Sequence, residues 1–146
     1  MHHMPLAERA ELLRLFAERI EANPEAVTLS WEYLGNVADS DKVSVLRRKE
    51  NPDATQAEQY VRILPSLPKA NSVVYLIFGS ARVELWLPAA LAADYDGHQA
   101  VEFKTHNATM QVHVHLGRTP DAPAVAIELG RRALAYETQR LLASTS

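Results

Sequence analysis

Between residues 110 and 116 the chain alternates without a break: Met110, Val112, Val114 and Leu116 are apolar, while Gln111, His113 and His115 between them are polar. A period of two is the signature of a strand with one dry face and one wet face. Such a strand must lie in a sheet whose far side meets a core. Residues 72–78 and 81–87 are two more apolar-rich runs, joined by Gly79-Ser80, whose leading glycine suits a two-residue type II′ turn. Residues 99–104 and 109–116 form a second hairpin around Thr105-His106-Asn107-Ala108. Hairpins at 72–87 and 99–116 make the sheet antiparallel.

Helical spacing appears at both ends. Leu6, Ala10, Leu13, Phe16, Ala17 and Ile20 recur with Glu and Arg between them, predicting an amphipathic helix over 5–22. Thr119-Pro120-Asp121 is a helix start, and Ala126, Ile127, Ala133, Leu134 and Leu141 carry a helix to about 142, weakened slightly by Gly130. After Asn23-Pro24, Val27, Leu29, Trp31 and Tyr33 alternate with polar residues as in a half-buried strand, with a helix as the open alternative. Thr55-Gln56-Ala57-Glu58 has the form of a capping box, and Ala57, Tyr60, Val61 and Leu64 follow at helical spacing, predicting a short helix over 55–64. A further short helix is expected over 89–94. The fold class is therefore α+β: an antiparallel sheet of four to six strands packed against N-terminal and C-terminal helices.

Matching apolar faces sets the expected register. In the first hairpin Leu76 meets Val83 and Val74 meets Leu85, leaving Tyr75 opposite Glu84, Ile77 opposite Arg82 and Val73 opposite Trp86. In the second, a loop centred on His106-Asn107 puts Phe103 opposite Met110 and Val101 opposite Val112. That register, or one displaced by two, keeps the faces separate. It pairs Glu102 with Gln111, Ala100 with His113, and His98 with His115. One sheet face then collects Tyr75, Arg82, Glu84, Trp86, His98, Glu102, Gln111, His113 and His115, a mixture of aromatics and convergent polar groups suited to a small-molecule ligand.

Three chemistries fit that face. His98, His113 and His115 can ligate Zn or Fe(II), since neutral imidazole suits both and three protein ligands leave positions open; Glu102 would then be a fourth ligand or an orienting group. Without a metal, His113 or His115 beside Glu84 or Glu102 acts as general base, with Arg82 or Tyr75 steadying negative charge. In the third, Tyr75, Glu84, Trp86 and Gln111 bind a ligand and nothing reacts. The sequence leaves open whether the protein is an enzyme.

The fragment Gln111-x-His113-x-His115-x-Gly117 resembles the strand of α-type carbonic anhydrases that supplies two zinc-bound histidines. That family's third ligand follows later in its chain, whereas no histidine follows His115. What carries over is the geometric idea of a His-x-His pair completed from a neighbouring strand. The cupin pattern fits no better, because no Glu follows at that family's spacing. Residues 34–64 bear a loose likeness to the helix-turn-helix of Cro/repressor-type regulators, with Leu34-Gly35, then Val43-Ser44 and Leu46-Arg47-Arg48 as the recognition helix, and Lys42, Arg47, Arg48 and Lys49 as phosphate or base contacts. The architecture is also similar to secretion chaperones and toxin-immunity proteins, which implies a protein-interaction module and a homodimer.

Composition narrows the classes. With 47% hydrophobic and 23% charged residues in 146, the chain fits one globular domain spanning 5–146. Met1-His2-His3-Met4 has the look of an added tail before a start at Met4, so His2 and His3 enter no site. A net charge of −3 disfavours nucleic acid as partner. The lack of cysteine removes disulfides and thiolate metal sites and fits a cytoplasmic location. No apolar run reaches the length of a membrane span.

Overall fold

The computed structural model describes residues 6–21, 23–37, 42–46, 60–106 and 109–144. Two helices, α1 (Leu6–Ile20) and α2 (Pro24–Val37), precede strands β1 (Lys42–Leu46), β2 (Tyr60–Leu64), β3 (Val74–Ile77) and β4 (Arg82–Trp86); a 3-10 turn at Ala89–Tyr95 leads to β5 (Val101–His106) and β6 (Thr109–His115), and α3 (Ala122–Ser144) closes the chain. The six strands form one sheet in the order β1-β2-β3-β4-β6-β5, antiparallel throughout. The expected α+β architecture is the one observed. No helix among the described residues is long and apolar enough to cross a membrane.

Two local expectations give way. The stretch after Asn23 is helix α2, not a strand. Asn23 Oδ1 accepts the Ala26 N–H at 3.3 Å, Pro24 occupies the first helical position, and burial falls on Ala26, Val27, Ser30, Tyr33, Leu34 and Val37 with a helical period. A cap followed by proline outweighs a four-residue alternation. Conversely, the helix expected over 55–64 ends in strand β2, whose burial alternates from Tyr60 to Leu64; residues 55–59 lie outside the described set. Pairing with strands on both sides decides a segment whose apolar positions fit either period. The same pairing removes the helix-turn-helix, because Val43, Ser44 and Leu46 lie in β1; Arg47, Arg48 and Lys49 lie outside the described residues.

Alternation sorts the sheet into two faces. Val61, Ile63, Val74, Leu76, Val83, Leu85, Val112 and Val114 are all fully buried on one side, in a core shared with Tyr33 and Leu34 of α2 and Leu129 and Ala133 of α3. Gly130 lets α3 approach α2 closely, since a Cβ there would lie 2.7 Å from the Tyr33 hydroxyl oxygen. In α1 the buried stripe is Leu12, Leu15 and Phe16, whose ring stacks on Phe78 at 4.6 Å, whereas Leu6, Leu13 and Ile20 from the expected stripe are exposed.

The first hairpin has the expected register, with Leu76 opposite Val83 and Tyr75 opposite Glu84. Its turn is wider than type II′. Ile77 O accepts the Ser80 N–H, Ala81 takes the left-handed conformation at φ 51°, and Gly79 has no positive φ. Gly79 serves close approach instead: a Cβ there would lie 2.8 Å from Arg19 Nη2. The second hairpin takes the register displaced by two, with Phe103 opposite Val112 and Glu102 opposite His113. Thr105 and His106 extend β5, so its pairing with β6 runs on to His106 opposite Thr109.

Candidate functional site

The polar face is organised by cross-strand neighbours. Arg62, Tyr75, Glu84, His113 and Glu102 stand successively opposite one another across β2, β3, β4, β6 and β5. On one side of this row Arg82 faces His115, and on the other Trp86 faces Gln111, which faces Lys104. Strand alternation puts all of these side chains on the side opposite the core, as the sequence predicts for Tyr75, Arg82, Glu84, Trp86, Glu102, Gln111, His113 and His115.

Glu84 is the hub. Gln111 Nε2 donates to its Oε1 at 2.8 Å, and Arg82 Nε donates to its Oε2 at 2.9 Å, with Nη2 in ion-pair contact at 2.8 Å. The Glu84 carboxylate is therefore fixed from two strands. His113 Nε2 lies 3.7 Å from Glu84 Oε1, too far for a hydrogen bond, and this buried nitrogen has no hydrogen-bond partner among the described residues. Burial holds the His113 pKa below the usual histidine value, against the opposing pull of Glu84.

A second carboxylate gathers the other end. Glu102 Oε1 accepts from Arg118 Nη1 at 3.0 Å and lies 3.1 Å from His115 Nε2, within ion-pair reach but not aligned as a hydrogen bond; Lys104 Nζ stands 3.5 Å from Oε2. The hydrogen bond from Arg118 holds the Glu102 carboxyl below the usual carboxylate range. Burial, then the Arg118 charge, lowers His115. Both imidazoles are thus biased toward the neutral form, in which one ring nitrogen accepts. His115 also borders a cavity of about 330 Å³ at the start of α2, lined by Asn23, Glu25, Leu29 and Arg118.

His98 does not join them. The displaced register puts Ala100, whose carbonyl accepts the His115 N–H at 2.9 Å, at the place expected two residues away. His98 falls in the turn before β5. There its Nδ1 accepts the Ala100 N–H at 3.1 Å and its Nε2 donates to Asp121 Oδ2 at 2.9 Å, so both ring nitrogens are occupied. The three-histidine centre for Zn or Fe(II) loses its third ligand, and among the described residues no three His, Asp or Glu side chains are grouped to hold a metal ion.

Tyr75 and Trp86 open onto a different cavity, at the end of the sheet where residues 70–73 meet α3, together with Arg62, Tyr136 and Arg140. Sequence reasoning missed Arg62 and Arg118. Arg62 was hidden by the helical reading of 55–64, although it sits at the polar position of Tyr60-Val61-Arg62-Ile63. Arg118 follows the strand end at Gly117, and no local pattern marks it. No protein-family model, curated protein or solved structure matches this chain.

Proposed function

We propose that the protein binds a small polar molecule on the open face of its sheet, with His113 and Glu84 as the pair that meets it. The observation that carries this reading is the buried His113 Nε2, without a hydrogen-bond partner among the described residues, beside a carboxylate already fixed by Arg82 and Gln111. A buried polar atom left unpaired costs about 1–3 kcal/mol, which a ligand hydroxyl or N–H recovers by donating to it. Neutral His113 accepts at that nitrogen in its Nδ1–H tautomer, the form to which a ligand hydroxyl or N–H can donate. The same placement suits acid/base work: His113 would take a proton from a bound hydroxyl, and the fixed Glu84 charge would stabilise the imidazolium.

Ligand-observed NMR against a panel of hydroxy acids, sugars and amides tests the proposal. Expected are hits that disappear in His113→Ala and weaken in Glu84→Gln. A panel with no hits, or hits indifferent to both substitutions, overturns it.

A second reading, a homodimeric interaction module, is favoured by Leu6, Leu13 and Ile20. These are 75%, 54% and 42% exposed and stand seven residues apart along α1, beside a groove of about 350 Å³ lined by Phe16, Val27 and Trp31. A seven-residue apolar repeat is self-complementary across a two-fold axis, so the occupant is α1 of a second copy. Light scattering after size exclusion would give twice the chain mass, reverting to the monomer in Leu13→Glu/Ile20→Glu; a monomer at high protein concentration rejects this reading.

A further inference from the structure

We infer that the cavity between the sheet end and α3 is a binding site for an aromatic carboxylate, separate from the Glu84–His113 pair. Its volume, about 560 Å³, falls within the range of small-molecule pockets. Its walls come from five places in the chain: Arg62 on β2, Ser72 in the loop before β3, Tyr75 on β3, Trp86 on β4, and Tyr136 and Arg140 on α3.

The charges in this cavity do not cancel. Glu137 is 3% exposed and its carboxylate is fully engaged: Oε2 accepts the Asn71 N–H at 2.7 Å and Arg140 Nη2 at 2.9 Å, and Oε1 accepts Arg140 Nε at 2.5 Å. These bonds hold the Glu137 carboxyl below the usual range and keep it ionised. Glu137 therefore neutralises and positions Arg140. Among the described residues nothing comparable meets Arg62. No acidic side chain among them pairs with it, and its Nε is buried without a hydrogen-bond partner among them, while the Ser72 hydroxyl stands near enough to Tyr75 to act on its phenol. A guanidinium with no acidic partner among the described residues, its Nε buried in this cavity, calls for an acceptor carrying negative charge.

The rest of the wall specifies a ring. Tyr75, Trp86 and Tyr136 contribute three aromatic side chains to the same lining as the two arginines. The Tyr75 ring is held by an edge contact with Tyr60 at 5.6 Å, and burial raises its phenol pKa, so it stays neutral and presents an apolar plate. A planar carboxylate matches the fork of Arg62, and an aromatic body fills the space between the rings.

Calorimetric titration with 2-naphthoate tests the assignment, with 2-naphthalenemethanol as the neutral ring and inorganic phosphate as the ring-free anion. Naphthoate is expected to bind, and the alcohol to bind at least about tenfold more weakly. Phosphate should not displace naphthoate. Arg62→Gln should cost about tenfold or more in naphthoate affinity, with Ser72→Ala and Arg140→Gln costing less. Arg62→Lys, which keeps the charge and the solubility of the side chain but not the fork, should fall between. His113→Ala should leave naphthoate affinity within about twofold, so failure of the His113 proposal leaves this one standing. The inference is overturned by absent naphthoate binding, by equal binding of the neutral alcohol, by displacement with phosphate, by equal affinity in folded Arg62→Gln and Arg62→Lys, or by loss of binding in His113→Ala.

Discussion

The two faces of this sheet come from the same strands, separated only by alternate residues, and they hold their side chains by different means. On the helix side Val61, Ile63, Leu76, Leu85, Val112 and Val114 are wholly buried and carry no polar side-chain atom. On the other side Arg82, Glu84, His113, His115 and Glu102 are half-buried, stand in pairs between 2.8 and 3.7 Å apart, and leave ring nitrogens without a hydrogen-bond partner among the described residues. Apolar burial is additive and indifferent to direction. A polar face must satisfy each group by a specific partner. The dry face can therefore be completed by burial alone, whereas the wet face has to be completed group by group.

Substitution on the dry face should give the largest effect. Leu85 is fully buried at the centre of the core, and Leu85→Ala is expected to cost about 3–4 kcal/mol of unfolding free energy. Urea denaturation followed by circular dichroism checks it. A cost near that of a wet-face substitution would break the contrast between the faces. On the wet face, Glu84→Ala removes the acceptor shared by Gln111 and Arg82 and should cost about 1–2 kcal/mol, with less lost in Glu84→Gln, which keeps an acceptor oxygen. Equal losses in the two variants would show that the carboxylate charge, not hydrogen bonding, organises this face.

The contrast also explains what was legible in the sequence. Wherever one face is dry, a slip by one residue would bury polar groups, so alternation marks the faces and gives the first hairpin its register outright. A slip by two preserves both faces, and the pattern cannot decide it. The second hairpin took that slip: Glu102 came to face His113, and His98 left the sheet for Asp121. The polar neighbourhood of Glu84, Gln111 and His113 was readable because it lies within long alternating strands. Arg62 and Arg118 were not, since one lies in a segment with two plausible periods and the other beyond a strand end. Nor could the sequence choose which stripe of α1 is buried; contact of Phe16 with Phe78 and Trp31 decided that.

Acidification probes the wet face alone at first. Burial lowers the folded-state pKa of His113 and His115 below the ordinary 6.5, so the unfolded chain takes up protons first as the pH falls. Stability contributed by the neutral rings is therefore present above about 6.5 and is lost downward from there until the lowered folded values are passed. The carboxylates of Glu102, Asp121 and Glu137 are also lowered, so their contribution is lost at more acid pH, beneath the ordinary carboxylate range. The urea midpoint of the native protein should fall between about pH 7 and about pH 5, and His113→Gln/His115→Gln should flatten that slope while leaving the more acid transition. An unchanged slope in the double variant would mean that other groups titrate in this window.

The smallest effect is expected at the rim, where the wet face meets solvent. Arg118 donates to Glu102 at 3.0 Å, yet both side chains are more than a third exposed, so water competes for the pair and salt screens it. Arg118→Ala should leave the urea midpoint nearly unchanged. Its electrostatic effect should be easier to see. Removing the cation takes away one of the influences that lower His115 and the leading one that lowers Glu102, so both groups should titrate at higher pH in the variant. NMR titration of the His115 ring reads this directly. An upward move of His115 with nearly unchanged stability places Arg118 at the solvated rim. A loss of stability comparable to Glu84→Ala would instead extend the buried network outward to Glu102.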